Sequence, residues 1–169
     1  MTMNDLIAAC GLHAEKKYDT IYATVSRETF TALATALVHT HGLPLSLLFA
    51  TDDRKAKGTL GMHALYHHDD EHLWLLISMA LPENNARYES LTKTIMAAHW
   101  YERLIQDQFG IIADGHPDPR RLVHHKNVPE GIHPLRKDFA WNTKMDHANI
   151  PYPMHHIEGE GIYEIPVGP

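Results

Sequence analysis

The chain has 169 residues, 44% of them hydrophobic and 21% charged, with a formal charge of −6 when histidine is neutral. That size and mixture suit one domain with a self-sufficient core plus an appended arm, and the acidic balance argues against a nucleic-acid partner. No run of 18 uncharged apolar residues exists to span a membrane, and the single cysteine, Cys10, excludes an internal disulfide and a CxxC cluster site. The opening MTMNDLIAACGLH lacks the basic and long apolar regions of a signal peptide, so a reducing, cytoplasmic setting is expected.

Residues 3–12 are expected to form a short helix with Leu6, Ile7 and Cys10 on one face. Thr20 to Val25 alternates Ile21, Ala23 and Val25 with Tyr22 and Thr24, as a half-buried strand does. Ser26 is placed to cap a helix carrying Glu28 in its first turn and the stripe Phe30, Leu33, Ala34, Leu37 and Val38. Gly42 and Pro44 end it. Three strands are expected next, with Leu45, Leu47 and Phe49 inward in the first, Leu60, Met62, Ala64 and Tyr66 in the second, and Leu73, Leu75, Ile77 and Met79 in the third. Their short connections demand antiparallel pairing. Pro82 closes the third, residues 83–93 read as polar and irregular, and a helix runs from about Thr94 to Phe109. The expected fold class is α+β: a mostly antiparallel four-stranded sheet with helices packed on one face, followed by an extended proline-rich C-terminal arm.

On the last helix Ile95, Ala98, Ile105 and Phe109 keep one face, and Glu102 falls inside that stripe. A carboxylate there is costly unless a cation or several donors meet it. Arg120, Arg121 and Arg136, just downstream, are expected to supply the cations. Gly110 stops the helix as a C′ glycine, and Pro117, Pro119, Pro129 and Pro134 forbid another long helix. Eight of the ten prolines lie from Pro117 onward, where apolar residues stand singly. Such an arm must lie on its own domain, lie on a partner or be disordered. Trp141, Tyr152 and Tyr163 are anchor types that suit a partner surface or the parent sheet equally.

The elements Glu102-Arg103, Asp107, Phe109-Gly110-Ile111, Gly115-His116-Pro117-Asp118, Arg120-Arg121-Leu122 and Pro134-Leu135-Arg136-Lys137-Asp138-Phe139 stand in the order and spacing of one family. They resemble the 30-kDa subunit of respiratory complex I and the homologous N-terminal domain of the large subunit of energy-converting [NiFe] hydrogenases of the formate hydrogenlyase and hydrogenase-4 type. Leu104 departs from it, standing where the family has a second Glu after Glu-Arg. His99-Trp100-Tyr101-Glu102-Arg103 looks more like the hydrogenase branch. Glu164-Ile165-Pro166-Val167-Gly168-Pro169 is similar to the opening of the hydrogenase large-subunit domain. The resemblance implies residues 1–115 as the α+β domain, 116–164 as a docking arm and 165–169 as the start of a further domain. It implies no cofactor in this stretch, with nickel–iron and iron–sulfur centres in partner domains or subunits. The partners implied are the hydrogenase large-subunit domain and the iron–sulfur small subunit of one complex, peripheral on the inner face of the cell membrane. Docking or arm clamping then falls to Glu102, Arg103, Asp107, Gly110, His116, Pro117, Arg120, Arg121, Arg136 and Asp138.

Other chemistry is weaker. Eleven of the fifteen histidines fall in groups, His39/His41, His63/His67/His68/His72, His124/His125/His133 and His155/His156, without the spacing of a structural zinc site. Glu102 and Asp107 diverge by about 140° around a helix and cannot share a cleft as paired acid–base carboxylates. Arg103 and Asp107, at i and i+4, are expected to pair on the surface. The arginines follow no phosphate-binding glycine loop, and Ser26, Ser46, Ser78 and Ser90 lack a nucleophile context. Two functions therefore compete: a non-catalytic docking module of an oxidoreductase complex, and a stand-alone histidine-rich metal-binding protein or metalloenzyme.

Overall fold

The computed structural model describes residues 2–145, 157–163 and 165. Helix α1 (Met3–Ala9) begins at a capping box, in which the Thr2 hydroxyl accepts the Asp5 N–H and the Asp5 carboxylate accepts the Thr2 N–H. Strands β1 (Ala14–Lys17) and β2 (Thr20–Thr24) form an antiparallel hairpin. Helix α2 (Arg27–His39) buries Phe30, Ala34 and Leu37. Ser26 occupies its N-cap, but its hydroxyl meets Thr29 Oγ1 instead of capping a backbone N–H. Then come β3 (Leu45–Asp52), the single turn α3 (Arg54–Lys57), β4 (Thr59–His68) and β5 (Leu73–Pro82). A 3-10 turn (Glu83–Asn85), β6 (Arg87–Glu89), a second 3-10 turn (Met96–Ala98), α4 (His99–Phe109) and β7 (Ile112–Asp114) complete the elements.

The main sheet runs β1-β2-β5-β4-β3, an α+β arrangement that is mostly antiparallel, as expected. It has five strands where four were expected. The extra one, β1, reads AEKK and is exposed throughout, so no apolar alternation announced it. The β2–β5 pair is parallel, with Ile21 opposite Leu75 and Ala23 opposite Ile77. These pairs line up with Leu48, Ala50, Met62, Ala64, Tyr66 and Met79 on one buried face. The buried side chains of α1, α2 and α4 join that face in one core.

Three local expectations fail for identifiable reasons. The register between β3 and β4 shifts between Leu45 and Leu47. One extra residue moves every later side chain to the opposite face. Leu48, Ala50 and Asp52 therefore point inward, while Leu47 is 38% exposed. Residues 83–93 are also not merely irregular. They contain β6, which pairs in parallel with β7 and buries Tyr88 edge-on to the Phe30 ring at 6.2 Å. The last helix is shorter at its start, because Met96–Ala98 forms a 3-10 turn before α4.

Candidate functional site

Helix α4 carries the site. Ile105 and Phe109 hold it on the core, and Glu102, in the same stripe, is 1% exposed. Burial of a carboxylate is tolerated only with full compensation. Here Tyr88 Oη (2.8 Å) and Leu91 N–H (2.7 Å) donate to Oε1, and the hydroxyls of Ser90 and Thr92 (2.6 Å each) and Thr92 N–H (3.3 Å) donate to Oε2. None of the arginines expected to neutralise Glu102 does so. Five donors, not a guanidinium, compensate the charge, and they come from the chain just before the helix. Burial, the facing carboxylate and the bond to it together push the Tyr88 phenol well above its ordinary range.

His116 packs over this nest. Its Nδ1 accepts Asp118 N–H (3.0 Å) and its Nε2–H donates to the His99 carbonyl (3.1 Å), which fixes one neutral tautomer. Nε2 lies 3.7 Å from Glu102 Oε2, and the His99 and His116 rings are 4.8 Å apart. Pro117, directly after it, is exposed.

The next turn of α4 holds the segment that follows Gly115. Arg103 and Asp107 do not pair on the surface as expected. Arg103 donates to the carbonyls of Arg120 (2.8 Å) and Arg121 (3.0 Å) and lies 3.3 Å from Asp118. Asp107 is 4% exposed. Its Oδ2 accepts three successive N–H groups, Leu122 (2.9 Å), Val123 (2.7 Å) and His124 (3.1 Å), a concave row of donors of the kind that binds anions. Arg120 itself pairs with Asp118, whose carboxyl it holds well below the usual range. Arg121 closes a loop by donating to the carbonyls of His125 and Val128.

The end of α4 is capped from the same segment. Gly110 takes the left-handed conformation, φ 70°, as its C′ role requires. The final carbonyls, otherwise orphaned, accept in order: Asp107 from His133 Nδ1 (3.0 Å), Gln108 from Leu135 N–H (3.3 Å) and Phe109 from Arg136 Nε (2.8 Å). Arg136 thus caps a helix instead of neutralising Glu102. Burial lowers the His133 imidazole. Further on, Asp138 meets Arg54, which also reaches Asp52 and Glu83. Asp52 in turn accepts Lys137 N–H at 2.7 Å. Its carboxyl is held well below the ordinary range, first by the Arg54 bonds and then by these backbone donors.

Sequence reasoning missed Tyr88, Ser90 and Thr92, and also the Asp52–Arg54 pair. Their two-residue spacing was a usable signal, because an extended chain turns such positions to one side. The histidine groups stay apart. His63 bridges Thr51 and Ser78, His67 meets Asp69 and Trp74, and His41 meets Cys10. His155 and His156 lie outside the described residues, as do Ile150, Tyr152, Met154 and most of the last six. Among the described residues no three His, Cys, Asp or Glu side chains are grouped to hold a metal ion, and no helix is long and apolar enough to cross a membrane.

Residues 23–145, which contain this entire arrangement, match the family model described as "Respiratory-chain NADH dehydrogenase, 30 Kd subunit". Formate hydrogenlyase subunit 5 of Escherichia coli (strain K12) is 32% identical over 93% of this chain and 28% of its own length. Hydrogenase-4 component G of the same organism is 33% identical over 79% of this chain and 25% of its own. The C/D subunit of NADH-quinone oxidoreductase from Methylococcus capsulatus is 37% identical over 73% and 22%. The chain thus spans about a quarter of the length of these curated relatives. Two solved structures share the fold: a trypsin-resistant fragment of Nqo5, with a TM-score of 0.60 at 20% identity over 70% of this chain and 99% of that one, and a chain of an archaeal membrane-bound sulfane sulfur reductase, with 0.67 at 16% over 82% and 86%. The chain belongs to the family of the 30-kDa subunit of respiratory-chain NADH dehydrogenase.

Proposed function

We propose that this chain is a non-catalytic docking module in a membrane-associated oxidoreductase complex of the formate hydrogenlyase or complex I kind. In this reading residues 1–115 form the folded unit, residues 116–164 dock it, and residues 165–169 begin a hydrogenase large-subunit domain. The module holds the large and iron–sulfur subunits together on the inner face of the cell membrane. Nickel–iron and iron–sulfur centres belong to those partners, and one cysteine is too few to ligate a cluster.

The observation that carries this reading is how the buried carboxylates of α4 are used. Glu102 and Asp107 are saturated by hydroxyl and backbone donors of their own chain, so neither faces a cleft where it could exchange a proton with a substrate. Asp107 fixes the course of the segment after Gly115, and Glu102 fixes the chain just before the helix. Two of the relatives are named as hydrogenase or formate hydrogenlyase components, which supports placing the module in such a complex.

The test is affinity purification of the tagged polypeptide from mildly solubilised membranes of its source, with subunit identification and metal analysis. Stoichiometric recovery of an iron–sulfur subunit, together with a hydrogenase-type large-subunit domain continuous with residues 165–169, is expected. Recovery as a lone protein with its own stoichiometric nickel, iron or zinc overturns the reading.

A further inference from the structure

We infer that the outer face of α4, together with the segment strapped along it, is the surface that seats the partner, and that the partner presents an apolar groove with acidic side chains at its edge. This deepens the docking reading and rests on it.

The side of α4 turned away from the core should be polar on a solvated helix. Instead Trp100 and Leu104, one turn apart, are 70% and 38% exposed, and Met96 in the turn before is 72% exposed. The strapped segment adds to this face. Arg103 and Asp107 bind the backbone of residues 120–124, which lays that stretch along the turn that carries Leu104. Leu122 and Val123 are displayed there at 38% and 51% exposure. A loop left free would turn such side chains inward. Here three N–H groups on one buried carboxylate hold them out. The result is a preorganised apolar ridge centred on a tryptophan, the residue type most enriched where interface energy concentrates.

Charge identifies the partner's chemistry. From His116 to Lys137 the chain carries five Lys or Arg against two Asp or Glu, a net +3 inside a chain of −6. Beside Leu122 a hollow of about 380 Å3 opens between Arg121, Lys126, Val128, Pro129 and Glu130. The Lys126 ammonium on its rim has no ion-pair partner among the described residues. An acidic side chain of the partner fits that hollow while Trp100 enters an apolar groove, the usual division of an interface into apolar centre and charged rim.

The experiment uses the tagged polypeptide in its source cells, carrying a photo-crosslinking amino acid at position 100 or at position 22, where Tyr22 stands on the opposite, open face of the sheet. In parallel, Trp100→Glu with Leu104→Glu, Lys126→Glu, and Tyr22→Glu are scored by the co-purified iron–sulfur subunit. Thermal unfolding of each purified variant confirms that it still folds. The expected result is crosslinking from position 100 to an acidic stretch of a partner subunit. Recovery falls at least tenfold in the double variant and severalfold in Lys126→Glu, and is unchanged in Tyr22→Glu. Unchanged recovery in the double variant, an equal loss in Tyr22→Glu, or crosslinks to a second copy of this chain overturns the face assignment while the docking reading stands. Failure of the unaltered polypeptide to bring down any oxidoreductase subunit overturns both.

Discussion

The Tyr88 hydroxyl donates to Glu102 Oε1 across 2.8 Å, and both residues are shut away from water at 3% and 1% exposure. The pair joins β6 to α4, so the strand pairing and the helix position depend on one carboxylate. Glu102→Ala strands three hydroxyls and the Leu91 N–H without an acceptor, while Thr92 N–H keeps only Ser90 Oγ. It should cost about 3–5 kcal/mol, the usual loss when one member of a buried charged network is removed. Tyr88→Phe removes one donor of five and should cost about 1–2 kcal/mol. Urea unfolding with an unchanged m-value checks the order of the two.

Asp107→Asn keeps the shape but weakens the acceptor for Leu122, Val123 and His124 N–H. Hydrogen bonds to a charged group contribute about 1.5–3 kcal/mol each, and the loss should fall mostly on the strapped segment. Global unfolding should shift modestly, while protease cleavage at Arg120 and Arg121 should accelerate at least tenfold. Mass-spectrometric mapping of the first cuts reads this out.

Gly110→Ala places a methyl 2.5 Å from His133 Nε2 and 2.8 Å from Arg136 Nη2, at a φ of 70°. The strained backbone costs about 1 kcal/mol, and the displaced side chains release the carbonyls of Asp107 and Phe109. A melting-temperature drop of about 2–4 °C for each kcal/mol lost is expected by scanning calorimetry.

Asp52 sets an acid limit. Its folded-state carboxyl titrates below the usual range because Arg54 and the Lys137 N–H bind the ionised form. A depressed folded pKa gives stability that is present above the unfolded value, about pH 4, and lost as pH falls below it. Asp52→Asn should therefore destabilise by about 1.5–3 kcal/mol at pH 7, with the gap to the unaltered chain beginning to narrow as pH falls below about 4 and closing only through the lower folded-state value. Urea midpoints across pH 3–7 decide it.

How far the sequence reveals this molecule depends on how local each cause is. The inward faces of β4 and β5, the α2 stripe, the Gly110 stop and the burial of Glu102 were all legible, because each follows from the period of a single element. The compensation of Glu102 was not. Conspicuous arginines suggested a cation, whereas the true donors are hydroxyls and amides in a stretch that reads as ordinary loop. The β3 bulge inverted Leu47 and Leu48 because one-residue slips leave no compositional trace. The parallel β2–β5 pair joins strands separated by α2, β3 and β4, and alternation alone does not report the partner.

Two buried carboxylates on α4, Glu102 and Asp107, organise the backbone on either side of that helix. Amide hydrogen exchange of the unaltered chain, followed residue by residue, tests this most directly. The N–H groups of Leu91 and Thr92 on Glu102, and of Leu122, Val123 and His124 on Asp107, should exchange at least a hundredfold slower than in unstructured peptides, with the first pair nearing core strands. Exchange of all five at unstructured rates would contradict the account.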